Sequence, residues 1–153
     1  MPASKLITLA RDAADHFGIS PALVCAIVEQ ESSWDPWATR FEPRYRWLYP
    51  FGGIIKSPCR TSNEMEIECQ KTSWGLMQVM GAVAREYGYP DYLWLLLHPE
   101  VGLSWGCRHF AAQLDRYDDD IEKAVSAYNA GHATSKNYDT YTSRVLARME
   151  HYR

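Results

Sequence analysis

The chain has little that would tie it to a polyanion or a bilayer. Sixteen Lys and Arg stand against nineteen Asp and Glu, a formal net charge of −3, and no basic run interrupts that balance. Nucleic acid is therefore not an expected partner. The longest apolar runs, Pro21–Val28 and Leu93–Leu97, are far too short to span a bilayer, so stable membrane insertion is not expected. Residues 1–7 lack the basic start and apolar stretch of a secretory leader. Work outside the cytoplasm would need another route, or a leader already removed. The four cysteines show no metal-ligand spacing, and nothing calls for a metal or a cofactor. Strand pairs, internal repeats and low-complexity tracts are also missing. What remains, 153 residues at 46% hydrophobic and 23% charged, fits a single domain over 1–153 with a core of its own.

The patterning predicts a mainly α fold. Leu6, Ile7, Ala10, Ala14 and Phe17 fall at helical spacing over 4–17, and Gly18 ends that helix. A second helix covers 21–32. From 33 to 72 the periodicity dissolves into a long irregular insertion, a feature usually functional inside a compact domain. A third helix is expected from Ser73–Gly75 to Tyr87, and a short apolar one over 91–97. Pro99 opens a longer helix to Tyr117, with Leu103, Cys107, Phe110, Ala111 and Leu114 as its stripe. Asp118 to Asp120 cap the next, which ends at Gly131. A last helix spans 138–150 with Tyr141, Val145, Leu146 and Met149 inward. Cys25 and Cys107 read as buried thiols. Cys59 and Cys69, ten positions apart in a polar segment, could close a loop as a disulfide or stay free.

The second helix holds the most informative residue. Ser20 suits an N-cap and Pro21 the first helical position. Eight apolar residues from Pro21 to Val28 leave no polar face, so the helix is buried on nearly all sides. Glu31 lies in line with Val28, Ile27, Val24 and Leu23, whereas Glu29 sits about 200° away over Ala22, Cys25 and Ala26. Asp35-Pro36 stops the helix, leaving Glu31 in its last turn, where the dipole is negative. Burial and dipole both raise the pKa of such a carboxyl. A protonated carboxyl near neutral pH is what a general acid for glycoside cleavage requires. Capping a neighbouring loop, or pairing with a lysine, would be the structural uses of the same residue.

Further signals lie in the insertion. Trp34, Trp37, Phe41, Tyr45, Trp47, Tyr49 and Phe51 fall within eighteen residues. Aromatic faces stack on pyranose rings, so part of this set is expected to line a glycan groove and part to form a small core. Glu64, Glu66 and Glu68 alternate in a stretch that reads as solvated loop. Glu42, in Arg40-Phe41-Glu42-Pro43, is the better cleft candidate.

Four segments then follow in order: Glu31-Ser32, Gly75-Leu76-Met77-Gln78, Ala127-Tyr128-Asn129-Ala130-Gly131, and Tyr141. Together they resemble the lytic transglycosylase domain of the soluble lytic transglycosylase type, a relative of goose-type lysozyme. The likeness covers about residues 20–150. The spacing of the first two motifs, with Trp34-Asp35-Pro36-Trp37 and Thr72-Ser73-Trp74, is most similar to bacteriophage and prophage members, endolysins among them. The resemblance implies a lysozyme-like α-helical domain acting on peptidoglycan strands without cofactor or metal. It implies Glu31 as the catalytic acid/base and Tyr141 as the hydroxyl that steadies it. Gln78 and the backbone near Met77 would grip the sugar chain. Ser73 stands beside the same cleft where the family usually has Ala. Tyr128 and Asn129 would hold the N-acetyl group of the muramic sugar. Packing alone would account for Met77, Tyr128 and Tyr141.

An ordinary glycoside hydrolase needs a second carboxylate, as nucleophile or, about 6.5–9.5 Å away, as base for water. A transglycosylase needs only one, since the sugar's own C6 hydroxyl attacks. Goose-type lysozymes follow Gly-Leu-Met-Gln-Val with an Asp implicated in positioning water, and this chain has Met80, which favours the non-hydrolytic outcome. Glu42 could orient Glu31, bind sugar or act as a base, so a hydrolytic muramidase is the rival, with a non-catalytic glycan-binding module beyond it. The net charge argues against strong attraction to an anionic wall. A monomer is expected, made in a host bacterium's cytoplasm and acting on the wall after release through a membrane pore, or carried on a virion.

Overall fold

A computed structural model describes residues 3–153. Helices dominate: α1 (Ala3–His16), α2 (Pro21–Ser32), α3 (Asn63–Gln70), α4 (Gly81–Glu86), α5 (Pro99–Arg116), α6 (Ile121–Ala130) and α7 (Ser143–Met149). Among the described residues none is long and apolar enough to cross a membrane. The apolar run of α2 has its expected fate. Ala22 through Val28 are all buried, with α1 and α7 packed against it. Each fully buried Leu, Ile or Val there contributes roughly 1.5–3 kcal/mol, so α2 is the axis of the core. Pro21 occupies the first turn, but the Ser20 side chain makes no capping bond. The helix stops before Asp35-Pro36, because Ser33 and Trp34 both turn left-handed, at φ 51° and 65°. α5 packs on α1 and α6, with Leu103, Cys107 and Phe110 inward. α6 begins at Asp120, whose carboxylate accepts from the Lys123 N–H, and ends at left-handed Gly131 as expected.

The insertion departs from the sequence reading in three ways. First, a three-stranded antiparallel sheet is present, in the order β1 (Thr39–Phe41), β2 (Thr72–Trp74), β3 (Val79–Met80), with Thr39 opposite Trp74 and Ser73 opposite Met80. Second, Gly75–Gln78 does not open a helix. It forms the turn from β2 to β3, and α4 starts only at Gly81. Gly75 is required there, since at φ +69° a Cβ would sit 2.6 Å from the Leu96 carbonyl oxygen. Third, Glu64, Glu66 and Glu68 lie on α3, not in a loop. Glu66 is buried and pairs with buried Arg85 at 2.7 Å, while Gln70 bonds Glu66 and both backbone groups of Tyr49. Of the two states left open for Cys59 and Cys69, the structure shows free thiols. Cys69 faces the core and Cys59 reaches the Pro90 carbonyl. The residues over 91–97 form a 3-10 helix, Leu93–Leu97, and the final helix opens with a π-helical turn, Tyr138–Thr142, before α7.

Candidate active site

The last turn of α2, the β2–β3 turn, the insertion and the facing sides of α5 and α6 enclose a cleft of about 930 Å³. Glu31 reaches it from the end of the buried helix, half-buried itself. Tyr141, carried on the π-helical turn, donates its hydroxyl to Glu31 Oε1. Burial pushes the Glu31 carboxyl up to about 7, and the Tyr141 hydrogen bond and the Arg40 charge only partly draw it back. Burial, together with the Glu31 charge, raises the Tyr141 phenol well above its ordinary value, so it stays a donor. The pair thus holds a carboxyl that keeps its proton towards neutral pH, with its direction fixed by the phenol. That is the state an acid-then-base needs.

Glu29 lies away from this cleft, as its position on the helix required. It accepts from the Tyr152 hydroxyl at 2.7 Å and pairs with Arg148 at 3.6 Å, and Tyr152 also takes the Trp34 indole N–H at 2.9 Å. This cluster ties the left-handed turn after Glu31 to the C-terminal segment.

The other expected residues converge unevenly. Ser73, Gln78, Tyr128, Asn129 and Glu42 all line the cleft with Glu31. Gln78, at φ +48°, spends its amide N–H groups on the Ala38 and Gly75 carbonyls, leaving Oε1 as its open group. Ser73 Oγ donates to Met80 Sδ at 3.1 Å. Asn129 Oδ1 accepts weakly from Asn137. Glu42 is paired with Arg40 at 2.7 Å on the rim. Met77 stands behind the wall rather than in it: its side chain is fully buried, and its carbonyl accepts from the Tyr128 hydroxyl at 2.7 Å. Tyr128 therefore lines the cleft while its hydroxyl braces the turn that carries Gln78. Of the aromatic set, Tyr45, Trp47 and Phe51 line the cleft.

Sequence reasoning missed one side of the site. His109, Ala112, Gln113 and Arg116 line the cleft from α5, joined by Glu86 and Tyr87 at the end of α4. The signal was available as a polar i, i+4, i+7 row flanking the apolar stripe of α5. His109 Nδ1 meets the Tyr87 hydroxyl at 3.2 Å, and its ring packs on Tyr128 with centroids 4.9 Å apart. Burial lowers the His109 pKa to about 4, so it is a neutral hydrogen-bonding wall and not a second acid near pH 7.

No solved structure matches the chain. The family described as the transglycosylase SLT domain matches residues 8–148. That match includes the buried helix, the cleft and Tyr141, and the chain belongs to this family of lytic transglycosylase domains, which act on peptidoglycan.

Proposed function

We propose that the protein cleaves the β-1,4 bond between N-acetylmuramic acid and N-acetylglucosamine without water, leaving 1,6-anhydro-muramoyl ends. The observation that carries this reading is the Glu31–Tyr141 pair, a half-buried carboxyl raised to about 7 and held by one phenol at the cleft. Glu31 protonates the bridging oxygen, and the substrate's acetamido group stabilises the developing oxocarbenium charge. The resulting carboxylate then takes the proton from the C6 hydroxyl as that oxygen bonds to the anomeric carbon. The C6 hydroxyl already belongs to the reacting sugar, so its effective concentration exceeds what unpositioned water can offer. Met80 occupies the place where a water-positioning Asp would stand in goose-type lysozymes. Tyr128, Asn129, Ser73 and the open Oε1 of Gln78 serve as sugar contacts. Met77 acts through its carbonyl, which anchors Tyr128. The phage-like motif variants support a role as a monomeric wall-lysis enzyme released through a separate pore.

A hydrolytic muramidase is the second reading, favoured by one observation: Glu42 and Glu86 line the same cleft as Glu31. Mass spectrometry of digested peptidoglycan separates the two, since an anhydro end is lighter by one water than a reducing end. Anhydro ends from the parent, with Glu42→Gln slower but unchanged in product, are expected. Glu31→Gln is expected to lose about 10²–10⁴-fold in rate with its fold intact. Predominantly reducing muramoyl ends would transfer the assignment to the muramidase.

A further inference from the structure

The net charge conceals a strong asymmetry. Residues 39–60 carry Arg40, Arg44, Arg46, Lys56 and Arg60 against the single carboxylate of Glu42, a net +4, so the rest of the chain holds −7 of the total −3. All five cations are exposed. Glu42 occupies Arg40, but among the described residues the other four have no carboxylate within 4.0 Å.

Nor is this segment a loose loop. The Glu42 N–H bonds the Lys71 carbonyl at 2.9 Å, and the Ser57 N–H bonds Asn63 Oδ1 at 3.0 Å. Gln70 clamps both backbone groups of Tyr49, at 2.8 and 2.9 Å. Those anchors hold it along α3. Tyr45, Trp47 and Phe51 from the same segment line the cleft, while Arg44, Arg46, Lys56 and Arg60 lie outside that lining. The aromatic part is thus continuous with the sugar site, and the cations flank it along the chain. In stem-bearing glycan the lactyl carboxyl of each muramic sugar is taken up in the amide to its stem, so the free carboxylates sit on the peptide stems.

We infer that residues 39–60 form a capture arm for peptide-bearing glycan, with Arg44, Arg46, Lys56 and Arg60 meeting stem carboxylates beyond the scissile bond. The inference rests on the peptidoglycan reading and adds a preference for strands that keep their stems. Exposed ion pairs are individually weak and screened by salt. Successive stems on one strand make them act together, because the second contact is intramolecular once the first has formed. The acidic remainder of the molecule repels a polyanion and turns the arm towards it.

The test uses Glu31→Gln protein, which does not consume its ligand, and fluorescence anisotropy with labelled glycan strands, either stem-bearing or stripped by an amidase with the lactyl carboxyls so freed capped as methylamides. Replacing Arg44, Arg46, Lys56 and Arg60 by Gln is expected to weaken binding of stem-bearing strands about tenfold, four exposed pairs together. Binding of stripped strands should not change, and raised salt should abolish the difference. In the active enzyme the same replacement should raise KM on stem-bearing strands and leave kcat alone. Equal weakening on both strands, or none on either, would overturn the arm. Phosphatidylglycerol vesicles binding through the same cations as tightly as stem-bearing strands would overturn it too, in favour of a lipid surface. Product analysis is independent, so reducing ends would sink the transglycosylase reading while leaving this measurement intact.

Discussion

The helical body and the inserted lobe are built on opposite logic. In the body, α2 and its neighbours bury long apolar faces, and local periodicity fixes where each helix begins and ends. In the lobe, strands of three and two residues, a helix of eight and several turns are held by a few polar contacts between distant residues. Gln70 clamps Tyr49, Arg85 holds Glu66 and two further carbonyls, and Gly75 fits against Leu96. Catalysis lies on the seam. The body supplies a rigid carboxyl, and the lobe supplies shape and charge.

The sharpest way to break that contrast is Arg85→Met. It leaves Glu66 buried without its partner, which costs about 3–5 kcal/mol. Urea unfolding should register the loss, and hydrogen exchange should concentrate it in residues 42–72 and spare α2. Uniform loss across both regions would mean that lobe and body unfold as one.

Glu31→Gln tests the body from the other side. The native carboxyl is raised to about 7 from an ordinary 4.5, so the folded state binds the extra proton and loses stability as pH rises from 4.5 to 7. Glutamine removes that cost. The variant should be more stable than the parent by roughly 3 kcal/mol at pH 8 and nearly equal at pH 4 in denaturation measurements. A gain independent of pH would contradict a desolvated carboxyl.

Gly106→Ala probes the seam. An added Cβ on α5 would lie 2.4 Å from Met77 Sδ and 2.6 Å from Met77 Cβ. Overpacking of this kind costs about 1–3 kcal/mol. Because Met77 precedes Gln78 and receives Tyr128, activity should fall more than stability explains. Unchanged kinetics would show that the turn absorbs the displacement. The smallest effect is expected from Glu29→Gln, whose half-buried pairing with Arg148 is long, at 3.6 Å, and is worth about 1 kcal/mol. Its activity should stay within a factor of two of the parent, against the loss from Glu31→Gln on the same helix.

The same contrast explains what the sequence made legible. α2 could be read to the residue because seven apolar positions follow Pro21, and α6 because Asp120 and Gly131 mark its ends. Glu31 and Glu29 separated correctly because helical geometry alone assigns their faces. β2 and β3 escaped because runs this short carry no period. The alternating glutamates of α3 hid Glu66, whose partner Arg85 is nineteen positions away. No local pattern reports that a buried cation will meet it. His109 and Gln113 were legible in principle, but a search for the apolar stripe of α5 passed over the polar row beside it.

The Tyr141–Glu31 bond joins residues 110 positions apart. Chain emerging from a ribosome at about 5–20 residues per second leaves roughly 5–20 s between the two. Throughout that interval α2, apolar on every side, has been made while α7 has not. The nascent protein therefore presents its most apolar helix with only α1 to cover it, and cannot hold its acid in place before the turn bearing Tyr141 arrives. The order of synthesis thus sets the earliest moment at which the acid is held in place.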